Sequence, residues 1–189
     1  NAPVQPVVGV TWYEALAYTA WLTEKLRGSD CVLAIRRGGR SEEVEMPAGS
    51  VEVRLPNEAE WERAARGTRG GRYPWGSRWD PDRANTWEGH VLRPTPAGCY
   101  PGGVTDEGVH DISGNVWQWT RSLYQPYPYH SDDGREDPEA SGERVLRGGS
   151  WSRDRRLARW ACRRRYLPAD FTLNGGFRLG VVSLGNADF

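Results

Sequence analysis

Apolar residues along this chain gather into two helical runs, separated and followed by stretches with no long period. In the first run Trp12, Leu16, Ala20 and the apolar positions from Leu22 to Leu26 recur at helical spacing, the signature of one amphipathic face. The spacing predicts a helix over 11–27. Thr11 and Glu14 stand as a capping box, the hydroxyl taking a free backbone N–H and the carboxylate reaching back, and Gly28 ends the run. A second helix is predicted over 57–66, with Pro56 fixing its approach, Asn57 and Glu60 repeating the cap, and Trp61, Ala64 and Ala65 facing inward. Between the helices lies a charged, Gly-containing stretch, 29–49, that reads as a hairpin-like insertion. Short strands are expected at 31–35 and 51–55.

From 68 to 147 the chain is rich in Gly, Pro, Trp and Tyr, and Gly70-Gly71, Gly102-Gly103 and Asp133-Gly134 mark turns. The recurrence of Trp75, Trp79, Trp87, Trp117 and Trp119 argues against disorder, because disordered chains are poor in aromatics. Short strands are predicted at 116–120, 144–147 and 177–182. The pattern is that of a loop-rich fold pinned by aromatic side chains, with no internal repeat.

Composition sharpens this picture. The 189 residues suit one domain, yet mean hydropathy is −0.72 and 26% of residues are charged. Ten tryptophans and eight tyrosines must therefore build the core, since each buries far more surface than an aliphatic side chain. Basic and acidic residues balance at 25 each, which excludes a bulk electrostatic pull on nucleic acid or anionic membrane. Lys25 is the sole lysine, a bias that fits base composition or a thermophile habitat. Cys31, Cys99 and Cys162 form no C-x-x-C pair, which argues against a disulfide scaffold. His90, His110 and His130 are isolated, and no nucleophile–base or paired-carboxylate constellation has a local signature. No stretch reads as a membrane span or signal peptide, and the absence of a starting methionine suggests the C-terminal part of a longer chain. Localisation is left open between cytoplasm and cell surface.

Six motifs then occur in order: Pro6-Val7-Val8-Gly9-Val10-Thr11-Trp12, Arg54-Leu55-Pro56-Asn57-Glu58-Ala59-Glu60-Trp61-Glu62, Tyr73-Pro74-Trp75-Gly76, Gly114-Asn115-Val116-Trp117-Gln118-Trp119, Arg147-Gly148-Gly149-Ser150-Trp151 and Gly176-Phe177-Arg178. Together they resemble the formylglycine-generating-enzyme (sulfatase-modifying-factor) family over 6–182. The resemblance implies a C-type-lectin-like α+β fold with two helices and small antiparallel sheets.

Within that family the resemblance divides three ways. The oxidase members use a copper-binding cysteine pair a few residues after the Gly-Gly-Ser-aromatic motif. Here that region reads Ser152-Arg153-Asp154-Arg155-Arg156-Leu157-Ala158-Arg159, and guanidinium groups cannot replace thiolates on a soft metal. The sulfoxide synthases of ergothioneine biosynthesis resemble this chain around Leu157-Ala158-Arg159 and Gly176-Phe177-Arg178, but hold iron with histidines from a separate N-terminal domain. The variable proteins of diversity-generating retroelements are similar at the C-terminus, where the scaffold displays a hypervariable region. Their diversification acts on template adenines, mostly in Asn codons, which cannot become Lys, Gln, Glu or Met. Residues 152–174 contain none of these four types, although composition predicts about two in that many positions.

The resulting expectation is a single C-type-lectin-like domain, 1–189, acting as a non-catalytic ligand-binding scaffold, with 152–175 as its variable segment. Its ligand-binding residues would be Arg153, Asp154, Arg155, Leu157, Trp160, Cys162, Arg164, Arg165, Tyr166, Leu167, Ala169, Asp170, Phe171, Thr172, Leu173 and Asn174. The partner would be a protein rather than nucleic acid, with no membrane insertion, and a monomer is favoured. Arg159, Arg163 and Arg178 match fixed family positions and are expected to support the loop through buried hydrogen bonds. No cofactor is required. Asn115, Val116 and Gln118 resemble a calcium site in which a carboxylate stands at the place of Gln118, so the resemblance allows a structural calcium there, held by a weaker amide donor. The alternative is an enzyme: the C-terminal domain of an iron-dependent sulfoxide synthase, or a divergent formylglycine-generating oxidase.

Overall fold

The computed structural model describes residues 4–36, 43–68 and 70–184. Helix α1 spans Trp12–Arg27 and α2 spans Glu58–Arg66, each opened by its capping box. In α1 the Thr11 hydroxyl accepts the Glu14 N–H while the Glu14 carboxylate accepts the Thr11 N–H. In α2 Asn57 and Glu60 make the same exchange. The buried face of α1 is turned slightly from its sequence prediction. Trp12, Ala15, Thr19 and Thr23 are buried, and Ala20 is exposed. The threonines go inside because their hydroxyls are satisfied there: Thr23 donates to the carbonyls of Thr19 and Val53 and accepts the Val53 N–H. In α2 Trp61 and Ala65 are buried and Ala64 is half-buried.

Three small sheets complete the described fold. β1 (Val32–Arg36) and β2 (Glu43–Pro47) pair antiparallel, the hairpin expected from the charged insertion. β3 (Val51–Arg54) pairs antiparallel with β8 (Gly180–Ser183). The third sheet has the order β6-β5-β4-β7, from β4 (Trp117–Leu123), β5 (Arg144–Arg147), β6 (Arg163–Tyr166) and β7 (Gly175–Phe177). β4 and β7 run parallel, so not every sheet is antiparallel as expected. β6 and β7 flank opposite edges, and the segment between them crosses back over the sheet, so both enter in the direction of β4. The predicted strand 177–182 splits between two sheets, breaking at Arg178, whose side chain turns back to Gln118.

The core is aromatic, as the composition required. Trp12, Ala15, Leu55, Trp117, Trp119 and Leu146 form its centre, and Trp61, Ala65 and Ile112 form a second cluster. Two of its indole N–H groups find main-chain acceptors: Trp12 donates to the Thr120 carbonyl and Trp119 to the Val10 carbonyl. Charge is buried too. Glu58, 1% exposed, accepts two hydrogen bonds from Arg163 at 2.6 and 2.8 Å, with Arg147 at 3.4 Å. Arg147 also pairs with Glu62 at 2.5 Å. Among the described residues no helix is long and apolar enough to cross a membrane.

Candidate ligand-binding face

The Gly148-Gly149 pair sets the direction of everything after it. Gly149 sits at φ +76°, and a Cβ there would lie 2.8 Å from the Ala158 Cα and the Leu157 carbonyl oxygen. Only glycine lets the returning turn pack this closely. The chain from Trp151 is then held at intervals by its backbone. The Trp151 N–H donates to the Asn115 carbonyl, the Trp87 N–H to the Arg153 carbonyl, and the Trp160 N–H to the Arg72 carbonyl. The Ser113 hydroxyl donates to the Ala158 carbonyl at 2.6 Å, and the Trp12 N–H to the Pro168 carbonyl. Asn174 closes the segment by donating to the Ser150 and Ser152 hydroxyls at 3.1 and 2.6 Å. The fold thus fixes the main chain of 152–174 largely through main-chain hydrogen bonds.

Exposed positions in this segment include Arg153, Arg155, Arg165, Leu167, Ala169, Asp170, Phe171 and Leu173. Leu167, Phe171 and Leu173 are 54%, 64% and 74% exposed, a large apolar area to leave in water. The other predicted ligand-binding residues are half-buried, and several are committed to the interior. Leu157, Cys162 and Tyr166 pack on the main core, and Trp160 packs on the second cluster while its indole N–H donates to the Gly71 carbonyl. Burial pushes the Cys162 thiol pKa up. Arg164 lies over the Trp117 and Tyr166 rings and donates to the Tyr166 hydroxyl. Asp154 accepts from the Arg156 N–H and guanidinium, which together lower its pKa. Thr172 gives its carbonyl to the Gly9 N–H, and Asn174 serves as the clasp. Within this segment β6 turns Arg164 and Tyr166 towards the core, while Leu157, Trp160 and Cys162 reach it from the turn before the strand. The displayed set is narrower than the sequence suggested.

Of the supporting arginines, Arg163 and Arg178 act as expected. Arg163 is clamped to Glu58 between the Tyr124 and Tyr127 rings, at 4.2 and 4.6 Å. Arg159 does not: it is exposed, and among the described residues its side chain donates only to the Arg156 carbonyl. Residues 72–88 contribute more than the sequence reading gave them. Tyr73 donates its hydroxyl to the Arg155 carbonyl, and the Glu88 carboxylate accepts the Arg155 N–H.

The side-chain oxygens of the calcium-like site are already engaged within the protein. The Asn115 side-chain oxygen accepts the Thr95 N–H at 3.0 Å, and its main-chain carbonyl accepts from Trp151. Val116 has its side chain buried beside them. The Gln118 oxygen receives the Trp61 indole at 2.8 Å and the Arg178 Nε at 2.7 Å. Desolvation pulls the Arg178 pKa down to about 10, still far above neutral, so a positive charge already sits where a cation would bind. These oxygens do not fit calcium, which needs free and preferably charged donors.

Comparison with known proteins agrees with the motifs. A family model described as a sulfatase-modifying factor enzyme 1-like domain matches residues 1–182. An inactive C-alpha-formylglycine-generating enzyme 2 from Mus musculus is 36% identical over 159 residues, covering 77% of this chain and 37% of the mouse protein. A hercynine oxygenase from Mycobacterium tuberculosis is 36% identical, covering 78% and 30%, and a formylglycine-generating enzyme from Streptomyces coelicolor is 35% identical, covering 79% and 43%. The chain thus spans roughly a third of the length of the first curated relatives it matches. Among solved structures, Treponema denticola variable protein 1 superposes with a TM-score of 0.72 over 97% of this chain and 73% of its own, at 24% identity. On the full-length family match, the chain belongs to the sulfatase-modifying factor enzyme 1-like domain family.

Proposed function

We propose that this domain is a non-catalytic ligand-binding scaffold whose displayed surface is diversified between Trp151 and Gly175. One observation carries the reading: where oxidases of the family need thiolates after the Gly-Gly-Ser-aromatic motif, this chain offers Arg153, Arg155 and Arg156, and residues 152–174 lack Lys, Gln, Glu and Met. The exposure of Leu167, Phe171 and Leu173 on a backbone held by other elements supports it, because substitution there leaves the packing intact. So does the likeness of fold to a variable protein, alongside relatives that include an inactive formylglycine-generating enzyme. The mechanism is recognition: fixed main chain, exchangeable side chains.

The test is the DNA beside the coding sequence. The reading expects a reverse-transcriptase gene and a near-copy of the segment encoding 152–174 that differs only at adenines. The absence of both would remove the diversification. The enzyme alternative, favoured by the hercynine oxygenase and formylglycine-generating enzyme relatives, makes a different demand. It requires stoichiometric iron or copper and oxygen consumption in the full-length protein.

A further inference from the structure

The chemistry of the partner can be read from the face around Tyr73; this inference rests on the binding-scaffold reading. Tyr73 is buried and acts as a hub. Its ring stacks on Trp75 at 5.2 Å and meets Trp79 edge-on at 5.0 Å. Trp75, Trp79, Arg78 and Arg83 line a cleft of about 520 Å³. On the other side of the same tyrosine, Arg155 passes its carbonyl to the phenol, and the Arg72 carbonyl anchors the Trp160 N–H. Burial raises the Tyr73 pKa, while Arg159, Arg155 and Arg72 oppose the rise, so all three charges lie within electrostatic reach of one hydroxyl.

The carboxylates built into this face are already engaged. Asp80 is held by Arg83 at 2.9 Å, Asp154 by Arg156 at 2.8 Å, and Glu88 by the Arg155 N–H and the Thr86 hydroxyl. The guanidinium groups of Arg72, Arg78 and Arg155 have no acceptor among the described residues, and Arg159 has only a main-chain carbonyl. Unpaired arginines beside an open aromatic cleft fit a ligand with carboxylates and one bulky apolar group. The guanidinium fork matches a carboxylate, and Arg, Trp and Tyr dominate binding hot spots. A nucleic-acid strand fits less well. The chain carries no net charge, so it lacks the excess of cations that a long run of evenly spaced phosphates calls for.

We propose that this face docks an acidic segment of a partner protein, with carboxylates on Arg72, Arg78, Arg155 and Arg159 and one large apolar or aromatic side chain in the cleft that the packed Trp75 and Trp79 rings help to line. Most of these residues lie outside 152–174. The constant part of the domain then fixes the class of partner, and the variable part selects among its members.

The experiment is selection of a displayed random peptide library, about 12 residues long, on the immobilised full chain, followed by fluorescence binding of the enriched peptides. Enriched peptides should be rich in Asp and Glu around one Trp, Phe or Leu. Their affinity should fall at least about tenfold in the Arg72→Glu/Arg159→Glu double variant, two exposed positions whose change should leave the melting temperature in place. The enriched peptides should also lose affinity to the same degree when their apolar residue becomes Gly. Neutral or basic enriched peptides, no enrichment, indifference to either change, or tighter binding of a single-stranded oligonucleotide would each overturn the proposal. Metal-dependent turnover by the same protein would overturn the scaffold reading instead, a separate outcome from the peptide result.

Discussion

Glu58→Gln is the sharpest perturbation of this fold. Glu58 is 1% exposed, carries both hydrogen bonds from Arg163, and faces Arg147, which is itself fully buried. The amide keeps the shape and removes the charge. Arg147 retains Glu62, but Arg163 is left between the Tyr124 and Tyr127 rings with no counter-charge. Removing one partner of a buried ion pair costs about 3–5 kcal/mol. The Tyr124 and Tyr127 contacts are present before and after the change and do not offset it. For a domain of this size that is a melting-point drop of about 6–20 °C. Denaturant and thermal unfolding followed by tryptophan fluorescence measure it directly, and Glu58→Gln/Arg163→Met should recover part of the loss. A loss below about 0.5 kcal/mol would mean that the pair behaves as a surface ion pair, and the burial argument would fail.

Other predictions probe separate features. Gly149→Ala should destabilise by about 2 kcal/mol or more in the same unfolding assay, because its φ is positive and the new methyl would meet the 157–158 backbone at 2.8 Å. Leu173→Ser and Phe171→Ser should change stability by no more than about 0.5 kcal/mol, whereas Leu157→Ala, which opens the core, should cost about 2 kcal/mol. The hydrogen bond from Arg135 holds the Asp133 pKa down to about 2. A depressed carboxylate contributes stability above its unfolded value near about 4 and loses it as pH falls towards 2. Hydrogen-exchange protection around 124–137, taken relative to the intrinsic rate at each pH, should therefore fall across that window, and Asp133→Asn should remove the dependence.

Local signals made the helices legible. The Thr11–Glu14 and Asn57–Glu60 pairs are decided within one turn, and the structure forms both. Strand β6 was not legible. Arg163-Arg164-Arg165-Tyr166 reads as polar surface, and becomes a strand by pairing with β5, while Tyr124, Tyr127 and Trp117 from elsewhere supply faces for the guanidinium groups. The same non-local packing narrows the displayed residues, since Cys162 and Tyr166 alternate inward. Asp132 to Asp137 reads as an exposed acidic loop, yet Arg135 in its middle is 1% exposed, held by Asp133 and the Pro126 and Pro128 carbonyls. Gln118 looked like a weakened calcium ligand. Only the tertiary structure brings the Trp61 and Arg178 donors that occupy its oxygen.

The most direct measurement is mass spectrometry of a cysteine-containing sulfatase peptide incubated with copper-loaded protein and oxygen. With arginines at 153, 155 and 156, the peptide should come back unmodified and copper should wash off the protein. Conversion of the cysteine to an aldehyde, with copper retained at one equivalent, would show that the domain is an oxidase and not a binding scaffold.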